Sequence, residues 1–160
     1  MINKIHTAEE AKKIIGNHRH NGKKIVFTNG CFDLLHAGHV LYLEEARALG
    51  DILVIGLNTD ASVQQNKGTE RPIVPQKERG IVLSGLSCVD MIVYFDDLTP
   101  MGLIDHLRPD IHVKGGDYKK ETLPEYSLII SYGGTVESLP FYPGFSSTTM
   151  IEKILRVYGK

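Results

Sequence analysis

Thr28-Asn29-Gly30-Cys31-Phe32-Asp33-Leu34-Leu35-His36-Ala37-Gly38-His39 is the stretch on which the reading of this chain turns. Ahead of it runs Lys24-Ile25-Val26-Phe27, an apolar segment that predicts a buried strand. Behind it, Val40-Leu41-Tyr42-Leu43-Glu44-Glu45-Ala46-Arg47-Ala48-Leu49 has the apolar spacing and helix formers of a helix. A strand ending in a glycine turn therefore hands over to a helix that opens with His36 and His39. Residues three apart share a helical face. The first turn of a helix also presents free backbone N–H groups that attract anions. The guest that suits such a corner is a polyphosphate.

The 160 residues fit one domain, 1–160, with residues 1–22 as an N-terminal helical extension. That length buries a core without disulfide or metal staples. Apolar content of 42% and charge of 23% are ordinary for a globular protein. A net charge of −1 argues against nucleic acid held by bulk electrostatics, so any functional positive charge must be local. No run approaches about 18 apolar residues, so no membrane span is expected. Met1-Ile2-Asn3-Lys4-Ile5-His6 lacks a signal core, and Cys31 and Cys88, few and far apart, suit a reducing cytoplasm. Cys31 stands inside the motif and has two readings, a nucleophile or the small buried thiol commoner at a strand end. Cys88, near Leu86 and Val89, reads as core filling.

Thr7-Ala8-Glu9-Glu10 is a capping box opening a helix that Asn21-Gly22 ends. Strands are expected at 24–29, 51–58, 91–95, 110–113 and 135–139. Helices are expected at 60–65, 75–86, from Thr99-Pro100 to about 108, at 124–132 and at 150–157, the last capped by Ser147-Thr148-Thr149. Residues 64–75 read as a polar loop. Near-continuous apolar strands alternating with helices predict an α/β fold. The expectation is a Rossmann-like three-layer sandwich around a central five-stranded parallel sheet. Ligands of such sheets sit beyond the carboxyl ends of the strands. There the chain gathers the 28–39 motif, Asn58-Thr59-Asp60, Lys114-Gly115-Gly116-Asp117 and Ser147-Thr148-Thr149.

Taken singly, His36 and His39 are surface or core residues as readily as functional ones. Gly30, Asp33 and Gly38 around them weaken that reading. Zinc would need a third ligand, and only Asp33 is near in sequence, so no metal site is assigned. His6, His18, His20, His106 and His112 match no motif. Gly30 permits a tight turn and Gly38 lets a phosphate approach a helix backbone. The pattern is neither G-x-G-x-x-G nor the P-loop string.

The 28–39 string resembles the T-x-G-x-F-D-x-x-H-x-G-H signature of the cytidylyltransferase-like nucleotidyltransferases. Asn58-Thr59-Asp60-Ala61-Ser62, Lys67-Gly68 with Arg71-Pro72, Val89-Asp90, Lys114-Gly115-Gly116-Asp117-Tyr118 and Ser147-Thr148-Thr149 extend the likeness over about residues 22–158. They point to the branch that adenylylates D-glycero-β-D-manno-heptose 1-phosphate to ADP-heptose for lipopolysaccharide core or surface glycans. Many relatives carry this domain behind a sugar kinase, and here the stand-alone form is expected. Glycerol- and choline-phosphate relatives carry R-T-x-G-I-S-T before the last helix. Tyr142-Pro143-Gly144-Phe145-Ser146-Ser147-Thr148-Thr149 lacks that arginine, which weighs against glycerol 3-phosphate and leaves one phosphate contact unassigned.

The resemblance implies that a sugar 1-phosphate oxygen attacks the α-phosphorus of ATP and displaces pyrophosphate. His36, His39, Lys67 and Arg79 are implied as catalytic. Thr28, Asn29, Gly30, Cys31, Phe32, Gly38, Lys114, Gly115, Gly116, Asp117, Ser147, Thr148 and Thr149 are implied to bind nucleotide. Asp33, Asn58, Asp60 and Arg71 are implied on the sugar-phosphate side. Each has a structural alternative: a solvated loop lysine at 67, a surface ion pair for Arg79, a turn for Asp33 or for Gly115-Gly116-Asp117, an N-cap for the Ser-Thr cluster. Mg2+ is expected with ATP, held by waters and substrate oxygens. The partners implied are ATP and a sugar 1-phosphate, with a homodimer or higher homo-oligomer and neither nucleic acid nor membrane. The competing readings are a CTP-dependent cytidylyltransferase for a polyol phosphate, and a nucleotide-binding sensor without catalysis.

Overall fold

The computed structural model describes residues 2–159. Alternation along each strand sends side chains to two faces of one sheet, and each face receives its own helical layer. Ile25, Phe27, Val54, Met91 and Val93 face Ala11, Ile15, Leu103, Ile104 and Ile129. Val26, Leu53, Ile55, Leu57 and Ile92 face Leu43, Ala46 and Leu83. Three layers follow, helix on sheet on helix.

The elements run β1 Ile5–His6, α1 Ala8–His20, β2 Ile25–Gly30, α2 Ala37–Ala48, β3 Ile52–Asn58, α3 Asp60–Lys67 and α4 Gln76–Ser84. Then come β4 Met91–Phe95, α5 Met101–Leu107, β5 Ile111–Gly115, a 3₁₀ turn Lys120–Thr122, α6 Tyr126–Ser131, β6 Thr135–Leu139 and α7 Ser147–Tyr158. The sheet order is β1-β4-β3-β2-β5-β6, with every pairing parallel. Thr7 caps α1 as expected, accepting from Glu10 N while Glu10 accepts from Thr7 N.

Several sequence expectations need correction. Among the described residues the sheet has six strands rather than five, because Ile5 and His6 pair with Ile92 and Val93. A two-residue strand carries no periodic signal, so residues 1–22 read as helical alone. Lys67 ends helix α3 rather than lying in a loop, and β5 runs on to Gly115. The last helix starts at Ser147 with Ser146 as its cap, three residues early. None of the α7 residues is buried, and Met150, Ile154, Leu155, Val157 and Tyr158 are exposed. No helix among the described residues is long and apolar enough to cross a membrane.

Candidate active site

Chain direction across the sheet reverses at β2: β3 and β4 lie on one side, β5 and β6 on the other. Connections leaving such a point diverge and open a crevice beyond the strand ends. A cavity of about 580 Å³ occupies it, bounded by the β2–α2 turn, the end of β5 and the start of α7. In the turn, Phe32 and Leu34 both have left-handed backbones, at φ 48° and 50°. Non-glycine residues adopt that region at a cost that the surroundings must offset. Burial of Phe32, and the three hydrogen bonds that the Asp33 side chain between the two accepts, supply it.

His36 is the N-cap of α2 rather than part of its first turn, and His39 is the third helical residue. Their rings stack with centroids 3.8 Å apart and planes at 20°. The His36 backbone N–H donates to His39 Nδ1 at 3.3 Å, which leaves the proton of a neutral His39 on Nε2. Burial, with repulsion from His36 and Lys67 outweighing attraction by Asp33, brings the His39 pKa down to about 4. Burial also lowers that of His36. Both shifts favour the neutral form of the pair at pH 7, in which each ring carries one N–H donor. Gly38 is needed between them, since a Cβ there would stand 2.7 Å from Phe145 Cβ and 3.1 Å from His36 Nδ1. Two cavity-lining residues hold buried polar atoms without a hydrogen-bond partner among the described residues, Asn29 Oδ1 and His36 Nδ1.

Asp33 lines the cavity with both oxygens engaged. Oδ2 accepts from Arg71 Nε and Ile73 N at 2.8 Å each, and Oδ1 accepts from Val74 N at 2.9 Å. Burial opposes its ionisation, but those amides and the guanidinium prevail and hold the carboxyl below its ordinary range. The 68–74 segment is thereby pinned to the motif turn. Lys67 and Arg71 both reach the cavity lining.

Arg79 does not. It is 2% exposed, with Nε on Val74 O, Nη1 on Cys31 O and Nη2 on Asp60 Oδ1 at 2.9, 2.5 and 2.7 Å. Asp60 Oδ1 also receives Gln76 N at 2.8 Å. Asn58 is buried and donates to Ser62 Oγ. These three therefore brace the wall beneath the cavity and stay off its lining, as does the buried Thr28.

On the far wall stand Lys114 and Gly115, and beside Lys114 lies the buried Glu125, Nζ to Oε1 3.7 Å. Ser146, Ser147 and Thr148 bring the N-terminus of α7 to the cavity, and Ser147 Oγ donates to Asp33 O at 2.5 Å. Gly116, Asp117 and Thr149 fall outside the lining. Asn29, Gly30, Cys31, Phe32, Asp33, Gly38, Lys67 and Arg71 converge with the histidines. Tyr42, Phe141, Tyr142, Phe145 and Ser146 also line the cavity, and the sequence reading assigns none of them a role, although Tyr142, Phe145 and Ser146 lie in the stretch that departs from R-T-x-G-I-S-T. An isolated aromatic in a helix or a polar loop has no period to betray it. Tyr42 OH bridges Thr28 Oγ1 at 2.7 Å and Val113 O at 3.2 Å, tying β2 to β5 where they part. Its burial raises its pKa to about 12, so it stays a phenol. Among the described residues, no cluster of three or more His, Cys, Asp or Glu side chains is placed to hold a metal.

Residues 27–153 match the cytidylyltransferase-like family model. The chain belongs to the cytidylyltransferase-like family. It is a nucleotidyltransferase. A protein of Syntrophotalea carbinolica called bifunctional protein HldE is 53% identical over 155 residues, 97% of this chain and 32% of that protein. The Geobacter sulfurreducens protein of the same name is 52% identical over 92% of this chain and 30% of its own length. The chain thus spans about a third of the curated relatives it matches. The crystal structure of a lipopolysaccharide core biosynthesis protein from Thermoplasma volcanium GSS1 superposes with a TM-score of 0.61 at 31% identity. The match covers 76% of this chain and 98% of that one.

Proposed function

We propose that this domain transfers AMP from ATP to D-glycero-β-D-manno-heptose 1-phosphate, releasing pyrophosphate and ADP-heptose. The stacked His36–His39 pair at the cavity floor carries the reading. Support for the sugar comes from the Lys114-Gly115-Gly116-Asp117-Tyr118 likeness, the bifunctional HldE relatives and the lipopolysaccharide-core structural neighbour.

A sugar-phosphate oxygen forms a bond to the α-phosphorus, and the bond to the bridging oxygen breaks, its electron pair leaving with pyrophosphate. Charge gathers on oxygens around that phosphorus and on the leaving group. His39 Nε2–H, fixed by its Nδ1 bond, and His36 donate to those oxygens. Preorganised donors of this kind contribute most where charge develops. Lys67 and Arg71 hold the incoming phosphate, Arg71 oriented through Nε by Asp33. Lys114, Ser147, Thr148 and the first amides of α7 receive the triphosphate. Asp33 is the one lining carboxylate among the described residues, and both its oxygens are engaged, so these side chains offer no cage for a divalent cation. Mg2+ accompanying ATP would sit on phosphate oxygens and water. Self-association would cover the exposed apolar stripe of α7, and a monomeric mass for wild type by light scattering counts against it.

Pyrophosphate release across ATP and CTP, each with heptose 1-phosphate and glycerol 3-phosphate, tests the reading. Release confined to ATP with the heptose phosphate is expected. Release only with CTP and a polyol phosphate overturns it.

A further inference from the structure

Three of the five phenylalanines, Phe27, Phe32 and Phe95, are core residues at 8% exposure or less. The other two, Phe141 and Phe145, are exposed, and both line this one cavity. Phe145 has an occupation, since its ring lies parallel to His36 at 6.4 Å and its Cβ abuts Gly38. Phe141 has none for its outward face, which leaves it 72% exposed.

Its other side is closely seated. A Cβ on Gly115 would meet Phe141 Cε1 at 3.3 Å, and one on Gly116 would meet Phe141 Cε2 at 3.0 Å and Tyr118 Cε2 at 2.6 Å. Gly116 also has φ +119°, which side chains rarely adopt. The glycine pair thus gives the ring a flat backbone floor. Pro140 and Pro143 flank it and limit the segment's freedom. The result is a braced aromatic face at the β5 end of the cavity, across β2 from Lys67 and Arg71.

We infer that Phe141 is the stacking platform for the nucleobase, an inference that rests on the nucleotide reading of the cavity. A planar base covers an exposed ring on a rigid floor, whereas a phosphate gains nothing from it. Stacking tolerates any base, so the platform supplies nucleotide affinity and fixes the base plane, while base choice rests on other groups.

The chain has no tryptophan, so F141W places a single indole reporter at the proposed contact. Emission excited selectively at that indole is measured with ATP, inorganic tripolyphosphate and ribose 5-phosphate. Saturable quenching by ATP alone is expected. In parallel, calorimetry on F141A is expected to show ATP affinity reduced about five- to a hundredfold with tripolyphosphate affinity unchanged. F141Y should restore ATP binding. Equal quenching by tripolyphosphate, quenching by the sugar phosphate and not by ATP, or undiminished ATP affinity in F141A overturns the assignment. None of these readouts requires a sugar acceptor, so an incorrect heptose assignment leaves them interpretable. Wild type that binds no nucleotide brings down both readings. The side chain's exposure makes unfolding of F141A unexpected, and circular dichroism checks it.

Discussion

Arg71 Nε lies 2.8 Å from Asp33 Oδ2, and that bond joins a loop to the motif turn 38 residues earlier. The same carboxylate accepts the Ile73 and Val74 amides, so one buried side chain holds the whole segment at the cavity rim. Asp33→Asn keeps the shape but loses the charge that both the guanidinium and the amides prefer. Expected are a loss of about 2 kcal/mol in urea unfolding and raised KM for both substrates. Proteolysis should begin within 68–74. Unchanged KM with unchanged cleavage would remove the latch from the account.

His36→Ala and His39→Ala are each expected to lower kcat by about 100-fold or more, as for loss of an oxyanion-type donor. ATP affinity should move far less, because the charge they meet develops in the transition state. Equal losses of binding and turnover, with a lowered Tm, would make the pair structural.

Arg79 is buried and ties three oxygens from three separate segments. Arg79→Ala should therefore cost about 3 kcal/mol of stability by leaving the Cys31 and Val74 carbonyls without this donor and Asp60 Oδ1 with the Gln76 amide alone. Where the variant remains folded, kcat should fall much less than in His39→Ala. Intact stability with abolished turnover would return Arg79 to the reacting phosphates.

Acid should weaken the fold through two histidines. Burial holds His39 at a pKa of about 4 and His112 at about 3. Unfolded, both titrate near 6.5. Below that value the unfolded chain binds protons that the folded chain refuses, so stability declines as pH falls and recovers as it rises. Each proton contributes up to about 1.4 kcal/mol per pH unit. Asp33 acts at lower pH: its depressed carboxyl adds stability above the ordinary range and loses it only as pH falls through its folded value. His112 stacks on Phe27 at 5.7 Å, and neither ring nitrogen has a hydrogen-bond partner among the described residues. His112→Leu should flatten the acid slope and raise stability at pH 8 by about 1–3 kcal/mol. A destabilised leucine variant would mean that the nitrogens are satisfied by bound water.

The alternation of apolar strands with capped helices, and the strand–turn–helix at 28–39, were legible because local periodicity and capping chemistry act within a few residues. That much the chain itself settles: an α/β sheet, a motif at a strand end, and histidines beside a helix N-terminus. Tertiary packing decided the rest. Ile5 and His6 become a sixth strand only because β4 offers them an edge. Arg79, on the helix after a polar loop, is implied as catalytic by the family resemblance, yet contacts with residues 31, 60 and 74 bury it in a wall. Tyr42, Phe141 and Phe145 reach the cavity through chain distances that no local pattern encodes. Long-range closure alone determines which polar groups face the ligand and which face the protein.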